Sequence, residues 1–354
     1  MRVLLTGDAA GGVGAHAAAL ARGLASRGHS VTLAILGRDT CAGANVAGVE
    51  QVTAALPLEW ESQRPLPELA AALQAAREWL AQLADTRGID VLHANHFGLV
   101  GAIPRVPTLL GVHSDVVSWW RWVRGRPPDV CDFSIWYGGI VQAGLQQAQA
   151  IVAPSRVALH DLRESYGWCG AGQVIPNGIP IAPASVKGDP VFAMSAGRLW
   201  DQGKQIALLA RDDLAMDLYV AGELRDRPLP PTPRLRWLGS LERGALAQKL
   251  AAAHVYIASS CYEPFGLAPL EAAAAGCALL LNNLPSLREV WGPTALYFAR
   301  NDGEAMSRAL RRLADDPHLR AKLAAASYDR ACRLYRTENM SQAYAALYRS
   351  LQPA

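Results

Sequence analysis

The chain has 354 residues, of which 51% are hydrophobic and 18% charged, with a formal net charge of +3. At about 100–200 residues per domain this length implies two domains, and the composition excludes a disordered chain. The mild charge gives no reason to expect nucleic acid, and no apolar run reaches the roughly 18 residues of a membrane-crossing helix.

The opening MRVLLTGDAAGG has too short an apolar run for a signal peptide and reads as a first strand with its loop. A glycine-rich loop follows, then AHAAALARGLASRGHS, where Ala and Leu recur at helical spacing and Arg27-Gly28 closes the helix. VTLAIL is the next strand, PELAAALQAAREWLAQLADTRG a helix, and IDVLHAN and VPTLLGVHSD two further strands. GGIVQAGLQQAQA is helical, AIVAPS a strand, and SRVALHDLRESYG a helix with Ser155 as its N-cap. The segment IPNGIPIAPASVKGDP is rich in Pro and Gly and lacks periodicity, which places the domain boundary there. Beyond it the same grammar resumes with PVFAMSAGRL, DLYVAG, RLRWLGS, LERGALAQKLAAA and HVYIAS, then a loop, a helix and a strand from Ser259 to Leu281. Two more helices and a last amphipathic helix complete the chain. Alternation of strand and helix throughout gives an α/β fold of two doubly wound, Rossmann-like halves, with ligands expected at the carboxyl ends of the strands and in the cleft between halves. The expected domains are residues 1–180, residues 190–335, and a C-terminal helix over 336–354 that packs back on the first.

The six cysteines, Cys41, Cys131, Cys169, Cys261, Cys277 and Cys332, are scattered and form no C-x-x-C pair. They fit neither a zinc site nor a disulfide scaffold and read as buried, reduced thiols of a cytoplasmic protein.

Four stretches carry chemistry. In GDAAGGVGAHAAAL, Gly12 to Ala17 formally matches the dinucleotide pattern G-x-G-x-x-G/A, with Asp39 the nearest acid after the second strand. The match is poorly placed, because its first glycine sits well past the strand end. Two other readings remain: a tight turn without a ligand, or backbone N–H groups of Gly11 to Gly14 facing an anion or polar ligand. SAGRLWDQGKQ sets Arg198 and Lys204 just past a strand, on a loop entering a helix. Arg grips two phosphate oxygens in a planar fork and Lys supplies a point charge, a pair suited to a leaving diphosphate. In CYEPFGLAPLEAAAAG, Glu263 and Glu271 stand with seven residues between them. Pro264 to Leu267 form a turn, the helix begins near Ala268-Pro269, and the N–H groups of Phe265, Gly266 and Leu267 are left free to donate. A carboxylate at Glu271 can accept both hydroxyls of a ribose, while Glu263 lies beside the other end of such a ligand. Lastly, SDVVSWWRWVRGRPP holds Trp119, Trp120 and Trp122 among Arg121, Arg124 and Arg126, which suits stacking on a sugar, a membrane interface, or ordinary packing. His93 and His96 in LHANHFG lack a third ligand nearby and read as strand-end residues of a cleft.

EPFGLAPLEAAAAG resembles the E-x7-E motif of retaining GT-B glycosyltransferases, most like glycosyltransferase family 4. Other markers follow in the family's order: GGVGAH, LLGVHSD, VAPS with Ser155, VIPNG with Asn177-Gly178, AGRLWDQGK, and LREV with Gly292. Lys204 falls one residue later than the commonest R-L-x-x-x-K-G spacing. The resemblance implies a GT-B fold, its two domains facing across a cleft, and a nucleotide-sugar donor held mostly by the C-terminal domain. It puts Arg198 and Lys204 on the diphosphate, Glu271 on the ribose, and Glu263 with the amides of Phe265, Gly266 and Leu267 on the sugar. His113 would meet the sugar hydroxyls near the reaction centre, with Gly12 close to the phosphates or acceptor. It implies neither a metal nor another cofactor, and front-face attack without a protein nucleophile, so the catalytic set is His113, Glu263, Arg198 and Lys204. Acceptor contacts are expected from Gly11, His93, His96, Trp119 and Trp120. The acceptor class is open: a glycan, a lipid-linked sugar or a small molecule. The expected location is cytoplasmic, with room for peripheral contact at the inner face of the membrane and none for nucleic acid. An NAD(P)-dependent oxidoreductase and an idle nucleotide-sugar-binding protein are the alternatives.

Overall fold

A computed structural model of the chain describes residues 1–9, 11–37, 46–56, 65–184, 187–225 and 230–352. The chain divides into two compact units. The first comprises Met1–Arg121, Arg126–Gly178 and Thr337–Ala354, and the second Trp122–Gly125 and Ile179–Arg336. Asp39 and Cys41, singled out above, lie outside the described residues.

The first unit runs β1 (Arg2–Asp8), α1 (Gly11–Ala25), β2 (Ser30–Leu36), β3 (Glu50–Ala54), α2 (Leu66–Arg87), β4 (Val91–Ala94), β5 (Thr108–Gly111), α3 (Val116–Arg124, its end counted with the second unit), α4 (Asp132–Gln147), β6 (Ala150–Ala153), α5 (Arg156–Tyr166) and β7 (Gln173–Val174). All pairings are parallel, in the order β3-β2-β1-β4-β5-β6-β7. β1 and β4 are buried on both faces, which is why RVLLT and VLHA read as unbroken apolar runs rather than alternating ones. Separate apolar clusters cover the two faces of the sheet. The Ser155 hydroxyl accepts from the Ala158 N–H at 3.0 Å and caps α5.

The second unit runs β8 (Phe192–Ala196), β9 (Asp217–Ala221), β10 (Leu235–Trp237), α6 (Arg243–Ala252), β11 (Val255–Ala258), α7 (Leu267–Ala274), β12 (Ala278–Asn282), α8 (Pro285–Trp291), β13 (Leu296–Phe298), α9 (Gly303–Asp315) and α10 (Pro317–Leu334). Its parallel sheet has the order β10-β9-β8-β11-β12-β13. A last helix, α11 (Thr337–Ser350), belongs to the first unit. It buries Tyr344 and Tyr348 in that unit's core and packs on α1, where Gly23 permits the approach: a Cβ there would lie 2.7 Å from that of Ser341.

Strand order reverses between β1 and β4 in one sheet and between β8 and β11 in the other. Such switch points open a crevice at the carboxyl ends of the strands. The loops leaving β8 and β11 carry Arg198, Lys204 and Glu263, those leaving β4 and β5 carry Asn95, His96 and His113, and the glycine segment opens α1, the helix after β1.

Two readings change. No α-helix follows Arg198; the chain forms 3-10 turns at Gln202–Lys204 and Ile206–Leu209, with Gln205 between them at φ 46°. The thiols are not uniformly buried: Cys131 and Cys169 are exposed and Cys332 half-buried, while Cys261 and Cys277 are buried. The five described cysteines are unpaired.

Candidate active site

In the second unit, Lys204 ends a 3-10 turn that Asp201 caps, Oδ1 accepting from the Gly203 N–H at 2.8 Å. The other Asp201 oxygen lies 3.4 Å from the Arg198 guanidinium, which also stands 5.5 Å from the centre of the Trp200 ring. Arg225 stacks on the same ring at 3.8 Å. Lys204 Nζ donates to Glu263 Oε2 at 2.6 Å, with the two side chains 22% and 15% exposed. The Ser260 hydroxyl donates to the same carboxylate oxygen at 3.2 Å.

The backbone around this pair is cross-tied. Ser259 Oγ donates to the Lys204 carbonyl at 2.7 Å, and the Cys261 N–H to the Gly203 carbonyl at 2.8 Å. Ser286 Oγ, from α8, donates to the Glu263 carbonyl at 2.5 Å. Below them the fully buried Asn282 donates to the Ser260 carbonyl at 3.0 Å and to Asn301 Oδ1 at 3.1 Å, and accepts from the Asn301 N–H at 3.2 Å. A buried amide satisfied on both sides fixes its neighbours firmly, because leaving it unpaired costs free energy. The result is a small pocket lined by Ser195, Gly197, Lys204, Tyr256, Ser260, Glu263 and Pro269.

α7 begins at Leu267, with Gly266 at φ 91° as its N-cap. That left-handed conformation suits glycine, and a Cβ would press on Leu287, Pro269 and Glu263 at 3.2–3.4 Å. The Phe265 ring is buried edge-on against Tyr335, so only its backbone is available to a ligand. Among the described residues the N–H groups of Phe265, Gly266 and Leu267 have no acceptor. Glu271 sits in the second turn of α7; its carboxylate accepts no hydrogen bond among the described residues. Burial pushes its pKa up, partly offset by Arg243. A carboxyl group that holds its proton more tightly folded than unfolded costs stability once the pH exceeds the unfolded value, about 4.3. Glu271→Gln is therefore expected to raise the melting temperature by about 1–3 °C at pH 7 and not at pH 4, while weakening nucleotide binding. Thermal melts at both pH values and a nucleotide titration check this.

In the first unit, α1 starts at Gly11, so Gly12 to Ala17 lies inside the helix and not in the turn before it. Gly14 is where the helix meets the strand: a Cβ would lie 2.3 Å from the Asp8 carbonyl oxygen. This geometry serves close helix–strand packing and moves the dinucleotide pattern away from the position it requires. His113, just past β5, has Nε2 2.9 Å from Asn95 Oδ1 and its ring centre 4.5 Å from that of His16. Burial pulls the His113 pKa down to about 4. His16, 1% exposed, is held well below its usual value by burial and by His113.

His93 is a correction. It is fully buried, its Nδ1 2.6 Å from the Tyr348 hydroxyl of α11, so it cannot touch an acceptor. Burial also lowers its pKa, to about 3. His96 caps a 3-10 turn over Phe97–Leu99, its Nδ1 accepting from the Gly98 N–H at 3.1 Å. Trp119 and Trp120 lie half-buried on α3 with ring centres 6.3 Å apart, and Arg126 stands 5.2 Å from the Trp120 ring. Asn95, His16, Ser259, Ser260 and Asn282 were not singled out from the sequence: His16 and Asn95 lie inside quoted segments, GGVGAH and LHANHFG, but their contacts come from distant strands and helices. Among the described residues no group of three or more His, Cys, Asp or Glu is placed to hold a metal ion. No described helix is long and apolar enough to cross a membrane.

Residues 10–182 match the family model described as Glycosyltransferase Family 4, and residues 223–330 that described as Glycosyl transferases group 1. The chain belongs to the GT-B glycosyltransferases of family 4 type. Glycogen synthase of Mycobacterium tuberculosis is 31% identical to this glycosyltransferase over 199 residues, 49% of this chain and 47% of that protein. O-antigen chain mannosyltransferase B of Escherichia coli is 39% identical over 83 residues, 23% and 22% of the two chains. The matched part thus spans about half, or less, of the length of these curated relatives. Among solved structures, sucrose-phosphate synthase from Thermosynechococcus elongatus superposes with a TM-score of 0.80 at 20% identity over 99% of both chains. Anabaena Alr3699/HepE, solved in complex with UDP and glucose, gives 0.73 at 16% identity over 99% of this chain and 100% of the other. At these identities the structures speak for the fold, which is GT-B.

Proposed function

We propose that this glycosyltransferase moves a hexose, with retention of configuration and without a metal, from a UDP- or GDP-sugar to a hydroxyl acceptor. The observation that carries this reading is the second unit's arrangement at its switch point: Lys204 and Glu263 in contact at 2.6 Å, Arg198 on the same loop as Lys204 and held beside Asp201, and three N–H groups at the turn before α7 with no acceptor among the described residues. The cations suit a diphosphate leaving group, and developing negative charge on it is what fixed cations stabilise most. Glu263 and the Phe265–Leu267 amides suit a sugar's hydroxyls, and Glu271, half-buried and without a hydrogen-bond partner among the described residues, suits a ribose diol. The fold neighbour solved with UDP and glucose supports a nucleotide-sugar donor. In this scheme His113 meets the donor sugar's hydroxyls. The acceptor attacks the face the nucleotide leaves, and the departing phosphate takes the acceptor's proton. The acceptor is a glycan, a lipid-linked sugar or a small molecule, with Gly11, Gly12, His96, Trp119 and Trp120 as the candidate contacts that remain open.

A panel of nucleotide-sugars with detection of released nucleoside diphosphate, run with and without a chelator, tests the reading. Arg198→Ala is expected to lower release by about 100-fold or more while the melting curve stays within a few degrees. Stabilisation by NAD(P) and by no nucleoside diphosphate would instead favour the oxidoreductase. Binding without turnover on any donor would favour an idle binding protein.

A further inference from the structure

The Asn95 side chain sits between two strand ends. Its Nδ2 donates to the Thr6 carbonyl at 2.7 Å, its backbone N–H donates to Thr6 Oγ1 at 2.9 Å, and its Oδ1 faces His113 Nε2 at 2.9 Å. A carboxamide has one donor end and one acceptor end. The Thr6 carbonyl can only accept, so the donor end must face β1, and the acceptor end is left for the histidine. An oxygen there can only accept, so His113 must carry its proton on Nε2 and keep the lone pair on Nδ1. β5 makes room for this: a Cβ on Gly111 would lie 2.4 Å from Asn95 Oδ1 and 2.9 Å from His93 Nε2. The groups facing the ring are His16 from α1, packed edge-on at 4.5 Å, and His93 and Asn95 from β4 and its end. His16 and His93 are both buried and uncharged at neutral pH, and among the described residues no carboxylate faces the ring to favour a charged His113.

We propose that Asn95 is a positioning residue, anchored to Thr6, that fixes His113 as the neutral Nε2–H tautomer and so presents Nδ1 as the acceptor nitrogen to the reaction. The tautomer follows from the hydrogen bonds alone; its consequence for transfer rests on the glycosyl-transfer reading. A neutral amide in this place holds the ring without charging it, whereas a carboxylate would hold it and stabilise the imidazolium.

Ring-nitrogen NMR on the full chain with labelled histidine tests the assignment directly. The wild-type protein at pH 7 is expected to show His113 protonated at Nε2 and bare at Nδ1. Asn95→Ala should mix the tautomers, and Asn95→Asp should raise the pH at which the ring takes its second proton. In nucleoside-diphosphate release, Asn95→Ala should lower kcat about 10- to 100-fold with KM for the donor changed less than about threefold. Asn95→Asp should move the acid limb of the kcat/KM profile to higher pH, which a merely structural role would not do. A wild-type His113 carrying its proton on Nδ1 overturns the proposal, as does an Asn95→Asp titration identical to wild type. The wild-type spectrum needs no variant, so the proposal stays testable if a variant does not fold. It also needs no turnover: full activity in His113→Ala would sink the assigned role of His113 and leave the tautomer assignment standing.

Discussion

Replacing Lys204 by alanine is expected to lower kcat/KM for the nucleotide-sugar by about 1,000-fold, roughly 4 kcal/mol of transition-state stabilisation. The change removes a fixed cation from the place where the leaving diphosphate gathers charge. It has a second effect, on stability. Glu263 has Lys204 at 2.6 Å and the Ser260 hydroxyl at 3.2 Å, with its side chain 15% exposed. Without the lysine, a mostly buried carboxylate keeps a single neutral donor, at a cost of about 1–3 kcal/mol of stability after allowing for its partial exposure. The double variant Lys204→Ala with Glu263→Gln should then be as inactive as Lys204→Ala and yet melt at a higher temperature, because no uncompensated carboxylate remains. Initial rates of nucleoside-diphosphate release and thermal melts of the wild type and the two variants give both readouts. Activity of Lys204→Ala within tenfold of wild type would place the diphosphate elsewhere.

The spacing of Lys204 shows what sequence can and cannot convey. The lysine stands one residue later than the common pattern. In the structure the lysine ends a 3-10 turn over Gln202–Lys204 that Asp201 caps, with the left-handed Gln205 just after it. The ammonium still reaches Glu263. A turn of this kind is set by backbone torsions that a spacing pattern does not encode. The two carboxylates themselves were legible, because a Pro-Phe-Gly turn before an alanine-rich helix sets them apart within a single local segment. Strand and helix order were legible for the same reason: strands buried on both faces and helices of period 3.6 leave local signatures.

The histidines were only half legible. His93 and His113 both stand at strand ends in similar apolar company, yet one is sealed and the other is held at the end of β5. The difference is made by Tyr348, 255 residues further along, whose hydroxyl closes over His93 from the last helix. Likewise Asn95 gained its role only when β1 and β5 came to flank it, through Thr6 on one side and His113 on the other. Contacts of that range are set by the sheet order, and no window of sequence contains them. Cys131 is a milder instance: an apolar-looking thiol that lies exposed at the N-terminus of α4.

The buried histidines lead to the second large effect, on stability and not on rate. His16, His93 and His113 are expected to make the protein sharply less stable as the pH falls from about 6.5 toward 4. In the unfolded chain each takes a proton near its ordinary value of 6.5, whereas in the folded protein burial pulls His113 down to about 4 and His93 to about 3, and holds His16 well below 6.5. The unfolded state therefore binds more protons across that window, and stability is lost as the pH drops. Each fully uncharged histidine contributes up to about 1.4 kcal/mol per pH unit. His29 and His254, shifted the same way in more open surroundings, add to the slope. Asp115 opposes it, since burial raises its pKa and the folded state there holds the extra proton. The salt-bridged carboxylates Glu50, Asp90 and Asp213, all lowered, lose their share only in more acid solution, as the pH falls below their unfolded values of about 4. Denaturant melts between pH 7 and 4.5 thus read the histidines against the opposing pull of Asp115 and Glu271 and apart from these three carboxylates. His93→Gln should flatten the slope by about one proton, because it removes the titration while its amide can still meet the Tyr348 hydroxyl. A slope that His93→Gln leaves unchanged from pH 6.5 to 5 would mean that this ring takes up its proton in the folded state, and that the uncharged wall around His113 does not exist.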